Sequence, residues 1–261
     1  MTTIDAAAVN AAADARPRPS VVVHDSMAKA AAAAAAQTAQ LLSDAVAERG
    51  VGHLVLTGGS GGEALAAALP AALAAAGLTP AHGLDRLHLW EGDERFVPAG
   101  HADRNDLQVT GLVAAGIPEA NVHRLPGPEQ VDCVDAAAEA LAEALREHGP
   151  ASGRFDVVHV GLGPDAHVCS LFPGHPEAPT TGADVIAVHD SPKPPPERVS
   201  FTFDVLHRAR QVMVVAGGAG KVEAVTKGLA RPDVVAAPAS CARGEGTVWH
   251  LDHAAAAGVP A

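Results

Sequence analysis

A chain of 261 residues has the length of one α/β domain or two small ones, and 48% apolar residues are enough for a sizeable core. Aromatics make up only 3% and tyrosine is absent, so that core must rest on Ala, Val and Leu and be helix-rich and closely spaced. A formal charge of −12 argues against general nucleic-acid binding, and any anionic ligand needs a local basic pocket against that field. Cys133, Cys169 and Cys241 form no CxxC pair, which speaks against a disulfide framework or a zinc ribbon and fits reduced thiols in a cytoplasmic setting. The first residues lack a basic start followed by an apolar segment, and no stretch has membrane-span length without polar punctuation. A soluble protein without targeting signals is the expectation.

Residues 1–18, Ala-rich and ending in RPRP, read as a flexible tail before a single α/β domain over 19–261. Val21 to Val23 form a short β-branched run, His24-Asp25-Ser26 offers cap oxygens, and an Ala-dominated helix runs to Arg49 and stops at Gly50. HLVLT (53–57) is a strand, GGSGG (58–62) a loop, and EALAAALPAALAAAG a helix with Pro70 as a kink or break. RLHLW (86–90) is a strand ending in a polar loop. A helix near 103–115, a strand at 121–125 and a helix over 128–148 follow. FDVVHVGLG (155–163) is a buried strand by its valines. DVIAV (184–188), RVSFTF (198–203), QVMVVAGG (211–218) and TVWHL (247–251) complete the strands, with helices near 204–208 and 220–229. The alternation predicts an α/β fold with a mostly parallel, doubly wound sheet and helices on both faces.

Ligands of such sheets sit beyond the carboxyl ends of the strands, so the loops after HLVLT, RLHLW, FDVVHVGLG and DVIAV should share one rim. Gly58, Gly59, Ser60, Gly61 and Gly62 directly precede a helix, where unpaired amides and the helix dipole favour an anion, although a plain tight turn has the same composition. A dinucleotide fingerprint fits poorly, because Asp85 stands at the wrong end of the next strand, and no GK[ST] follows for a Walker A loop. The second rim loop carries Asp93, Glu94, Arg95 and then Asn105, which could be an anion-binding arginine or a solvated charge run. In SPKPPPERVSF three prolines stiffen a segment bearing Lys193 and Arg198, and Lys221 follows another apolar strand.

The stretch HVGLGPDAHVCSLFPGH (159–175) admits several readings. His159, His167, Cys169 and His175 have no recognised zinc spacing, and Cys169 reads better as a small buried thiol than as a nucleophile. His167, two residues after Asp165, could take a proton from water with Asp165 orienting it, or could be an ordinary hydrogen-bonding histidine.

WEGDERFVP, GLGPDAHVCSLFPGH, SPKPPPERVSF and RQVMVVAGGAGK, in this order within a match over about residues 19–252, resemble the 6-phosphogluconolactonase family, whose fold is shared with glucosamine-6-phosphate deaminases. The resemblance implies His167 as general base with Asp165 beside it and Arg95 as the substrate-orienting arginine. It implies Gly58, Gly59, Ser60, Arg198 and Lys221 at the phosphate, and Asp93, Asn105 and Lys193 as further substrate-binding residues. Two departures stand out: Ala166 replaces the glycine of the usual PDGH, and GGSGGEAL replaces the common GGSTPKAL, which removes one hydroxyl. The expected activity is metal- and cofactor-free hydrolysis of a sugar phosphate lactone by one catalytic domain, as a monomer or weak homodimer without nucleic-acid or membrane partners. Two rivals are an amino-sugar phosphate deaminase or isomerase, and a non-catalytic sugar-phosphate sensor. The deaminase pattern wants a glutamate soon after the histidine, and SLFPGH has none before Glu177.

Overall fold

A computed structural model describes residues 2–259. The chain opens with β1 (Thr3–Ile4), α1 (Ala6–Asp14), β2 (Ser20–His24), α2 (Met27–Arg49), β3 (Gly52–Leu56) and α3 (Gly59–Ala75). It continues through β4 (Leu87–Glu91), β5 (Asp93–Arg95), α4 (Thr110–Ala115), β6 (Val122–His123), α5 (Val134–His148), β7 (Val157–Val160) and β8 (Thr180–Thr181). The last third adds β9 (Val185–Val188), β10 (Arg198–Phe201), α6 (Phe203–Arg208), β11 (Gln211–Ala216), α7 (Val222–Gly228), β12 (Gly246–Asp252) and α8 (His253–Ala256).

Local signals account for the long elements. Ser26 caps α2 by accepting from the Lys29 N–H, and Gly50 ends it in the left-handed conformation at φ 78°. Ala30, Ala31, Ala34, Ala35, Ala39 and Leu42 recur at helical spacing and are buried, so small side chains let α2 lie close to the sheet. Pro70 does not break α3: it removes one main-chain bond, while Leu65, Leu69 and Leu73 stay buried on the same core and hold both halves.

Seven strands form one parallel sheet in the order β2-β12-β11-β7-β3-β4-β6. Along its central strands Val55, Val158 and Val214 enter one core cluster, and Leu54, Leu56, Val157, Met213 and Val215 the other. Both faces are therefore covered, as near-continuous apolar strands require. From β3 the chain proceeds outward through β4 to β6, and from β7 it proceeds the other way through β11 to β12. The strand order thus reverses between β3 and β7, which opens a crevice at their carboxyl ends.

Several expectations are corrected. DVIAV and RVSF lie outside the parallel sheet: β9 and β10 pair antiparallel with each other, and β10 with β5, in a separate sheet of three. The helix expected from 103 begins as a 3-10 turn (Asn105–Val109) and becomes α-helical at Thr110, and the helix expected from 128 starts at Val134. Within the expected flexible tail of residues 1–18, residues 3–14 instead carry β1 and α1, and Met1 lies outside the described residues. Thr3 and Ile4 pair with Thr181 and Thr180, Asp5 caps α1, and Val9 and Ala13 are buried in the core. Asn10 Oδ1 accepts from the Val234 N–H at 2.8 Å, so α1 is fastened to a loop more than two hundred positions away.

Candidate active site

The crevice between β3 and β7 is a cleft, and the loops after β3, β5, β7 and β11 converge on it. Gly58, Gly59, Ser60, Asp93, Arg95, Asn105, His167, Arg198 and Lys221 all line it. The Thr57 hydroxyl accepts from the Gly161 N–H at 2.9 Å and ties the two central loops together.

One end of the cleft is the amino terminus of α3. Close approach requires glycine at several points of this loop, Gly58 and Gly61 among them. A Cβ on Gly58 would lie 2.0 Å from Asn105 Oδ1, and one on Gly61 2.3 Å from the Val215 carbonyl oxygen. The main chain is thus pressed against its neighbours, with the first amides of α3 open to an anion. Lys221, after β11, lines the same end and donates to the Leu162 carbonyl. Burial and the charge of Lys193 lower the Lys221 pKa from its ordinary value, against the pull of Asp165.

At the other end, Asp165 Oδ1 and His167 Nδ1 are 2.5 Å apart. With Nδ1 engaged there, Nε2 is the nitrogen available to a water. Burial raises the Asp165 carboxyl, but hydrogen bonds and charge from His167 and Lys193 outweigh it and hold the group well below the usual carboxylate range. Lys193 Nζ lies 3.2 Å from Asp165 and 3.0 Å from His167 Nδ1. Lys193 and Asp165 therefore both meet the histidine on its Nδ1 side, beside the cleft. The His167 ring leans on Phe172 at 4.7 Å, and Lys193 and Arg198 lie over the same ring at 5.9 and 5.7 Å. This buried platform went unnoticed in the sequence, where an LF pair gives no local signal.

The turn that presents His167 is strained at Ala166, whose φ of 66° is left-handed. The glycine of the resembling motif would adopt it freely, whereas alanine costs roughly 1–2 kcal/mol. Ala166 is wholly buried, and its backbone donates to Gly163 O at 3.0 Å and accepts from the Ala239 N–H at 2.9 Å. Packing and these bonds hold the turn in place.

Arg95 donates from one terminal nitrogen to Asn105 Oδ1 at 3.0 Å and to the Asp103 carbonyl. Its Nε is buried and has no partner among the described residues. Asn105 in turn donates to the Asp93 carbonyl at 2.8 Å. The Asp93 carboxylate accepts from the Ser170 hydroxyl at 2.7 Å and lies 3.9 Å from Arg198. Arg198 donates to the carbonyls of Lys193, Pro194 and Pro195, each at 3.1 Å, so it also fastens the proline loop. Burial is the main cause that lowers its pKa, opposed by Asp93. Arg95, Arg198 and Lys221 make the cleft locally basic in an acidic chain, and Ser170 and Phe172 are supports that spacing alone did not reveal.

The metal reading of the 159–175 stretch finds no support. His159 sits on β7 with Nε2 2.8 Å from the Thr38 hydroxyl, and among the described residues no three His, Cys, Asp or Glu side chains gather in metal-binding geometry. Cys169 is buried, and that burial pushes its thiol well above the ordinary range, the opposite of nucleophile activation. Among the described residues no helix is long and apolar enough to cross a membrane.

A family model described as glucosamine-6-phosphate isomerases/6-phosphogluconolactonase matches residues 25–249. The chain is 42% identical over 255 residues to a 6-phosphogluconolactonase of Streptomyces coelicolor, covering 93% of this chain and 95% of that one. It is 42% identical over 209 residues to the human 6-phosphogluconolactonase, covering 78% and 79%. Among solved structures, a 6-phosphogluconolactonase of Shewanella baltica superposes with a TM-score of 0.76 at 25% identity over 90% of this chain and 97% of the other. A monomeric glucosamine-6-phosphate deaminase shares the fold at a TM-score of 0.71 and 16% identity, covering 92% and 99%. The matched span carries the α3 amino terminus, the Asp165–His167 pair and Arg95, and the chain belongs to the glucosamine-6-phosphate isomerase/6-phosphogluconolactonase family.

Proposed function

We propose that the protein hydrolyses 6-phosphoglucono-δ-lactone to 6-phosphogluconate, the step its lactonase relatives are named for, in the oxidative branch of the pentose phosphate pathway. The observation that carries the reading is that one cleft is lined both by His167, whose Nδ1 is engaged by Asp165, and by Arg95, whose Nε has no partner among the described residues. The substrate phosphate sits at the amino terminus of α3 with Lys221 and Arg198, and the lactone ring extends past Asp93 and Asn105. His167 Nε2 takes a proton from water as its oxygen bonds to the lactone carbonyl carbon. Arg95 stabilises the resulting oxyanion, and Asp165 the imidazolium. Collapse then breaks the bond from that carbon to the ring oxygen, which takes the proton back from Nε2. A δ-lactone is an activated ester, so a positioned water, a base and a cation suffice without metal or cofactor. A cytoplasmic monomer or weak homodimer is the setting in which we place it.

The deaminase alternative gains nothing from the site. Glu177, the first glutamate after His167, lies 2.5 Å from His175, and neither residue lines the cleft. The test is to mix the protein with freshly made 6-phosphogluconolactone and follow acid release against the spontaneous background. Catalysed release is expected; a rate equal to background removes the lactonase reading.

A further inference from the structure

Glu94 lies in the middle of β5 and is 2% exposed. Side chains alternate along a strand, so Asp93 and Arg95 face the cleft while Glu94 points the other way. Its carboxylate is nonetheless heavily used. Oε1 accepts the main-chain N–H groups of Arg95 and Asn105, each at 2.8 Å, and Oε2 accepts that of Asp106 at 2.9 Å. Beneath it, Arg104 lies 3.8 Å from Oε2 and donates to Asp106 Oδ2, Val97 O and Leu125 O at 2.9, 3.1 and 2.6 Å. Two of the three amides on Glu94 thus belong to Arg95 and Asn105, the residues whose side chains bond each other in the cleft. Register reinforces the arrangement, because Arg95 pairs with Arg198 and Glu94 with Val199 across β5 and β10.

We propose that Glu94 is a positioning residue for catalysis, which clamps β5 to the 105–106 turn and thereby aims Arg95 and Asn105 at the lactone. This rests on the lactonase reading. Only a carboxylate accepts on both oxygens, whereas a glutamine keeps Oε1 for Arg95 and Asn105 but turns an amide N–H against that of Asp106. Glu94→Gln is therefore a partial loss and Glu94→Ala a complete one.

The experiment measures kcat on 6-phosphogluconolactone, affinity for inorganic phosphate, affinity for 6-phosphogluconate and thermal melting. The proteins are wild type, Glu94→Gln, Glu94→Ala, Arg95→Ala and the Glu94→Gln/Arg95→Ala double variant. Glu94→Gln should lower kcat roughly 10-fold and Glu94→Ala about 100-fold, as expected for lost charge-assisted bonds. Phosphate affinity should hold, because α3 and Lys221 take no bond from Glu94 and Arg198 is held by the carbonyls of the proline loop. In the Arg95→Ala background Glu94→Gln should change kcat by no more than about twofold, the non-additivity of residues that act through one another. Full kcat in Glu94→Gln, an equal loss in both backgrounds, or parallel loss of phosphate affinity would overturn the proposal. So would failure of both single Glu94 variants to melt cooperatively, which makes Glu94 a folding residue. A wild type without lactonase activity defeats the functional reading instead. The two affinities then decide for Glu94: selective weakening of 6-phosphogluconate supports the clamp, and unchanged affinity for it removes the clamp.

Discussion

The two ends of the cleft are built in different ways. The end proposed for the phosphate is mostly main chain: a glycine loop and the first turn of α3, joined by Lys221 and Arg198, with Gly58 and Gly61 kept bare by the backbone and side chains against them. The end proposed for the lactone is side chain supported by side chain, with His167 on Asp165 and Phe172, Arg95 on Asn105, and Glu94 and Arg104 beneath. An anion of fixed shape is met by amides that need no further orientation. A reacting carbonyl needs groups aimed within fractions of an ångström, and aim comes from buried networks. The phosphate end should therefore tolerate most side-chain changes but no added atom in its wall, and the lactone end should answer sharply to single functional groups.

The sharpest contrast is expected from His167→Ala. Loss of a general base should lower kcat by roughly 10²–10⁴ with little change in substrate affinity, read by steady-state kinetics. Wild-type turnover would take His167 out of the mechanism. Next comes Lys221→Met, which should lower kcat/KM on the phosphorylated lactone about ten- to a hundred-fold and barely alter hydrolysis of glucono-δ-lactone. An equal defect on both lactones would mean that Lys221 does not meet the phosphate.

Gly61→Ala tests the wall itself. A methyl group would lie 2.3 Å from the Val215 carbonyl oxygen, so α3 must shift, at a cost of about 1–3 kcal/mol in stability and with a raised KM. Chemical denaturation beside kinetics measures both, and an unaltered protein would show that the helix yields freely.

The smallest effect per pH unit separates the two ends by titration. Burial raises the Glu94 carboxyl from 4.5 to about 7, outweighing its three N–H donors and Arg104. A group with a raised folded value holds its proton more tightly when folded. Its contribution is complete below 4.5 and is lost as the pH rises through about 7. Glutamine stays neutral throughout, so the stability cost of Glu94→Gln should be greatest at about pH 4.5 and below. It should shrink by ~1.4 kcal/mol per pH unit towards neutrality. Paired melts at about pH 5 and about pH 8 check this. A cost independent of pH would contradict it, and Gly61→Ala should show no such trend.

Much of this was legible in the sequence for reasons of short range. Caps such as Ser26, the stop at Gly50, β-branched runs and the glycine loop act within a few residues, so the parallel sheet and three of the loops on its rim could be read directly, whereas DVIAV, expected to lead to a fourth, belongs to the antiparallel sheet of three. Ordered motifs added His167, Arg95 and Lys221 by resemblance, and the structure brings them to one cleft. Ala166 was visible as a departure, and its left-handed φ shows what that departure costs. Other features depend on partners far away in the chain. An alanine-rich segment carries no periodic signal, and only the burial of Val9 and the bond from Val234 to Asn10 show that α1 belongs to the core. The antiparallel pairing of β10 with β5 decides that Arg198 lies opposite Arg95, which neither strand encodes alone. Lys193 was read as a sugar contact, and only the fold of the proline loop shows that its ammonium also lies 3.0 Å from His167 Nδ1. Glu94 read as part of a solvated charge run; its burial and its three amide partners exist only once β5 and the 105–106 turn have met, because main-chain amides have no identity in sequence until tertiary structure places them.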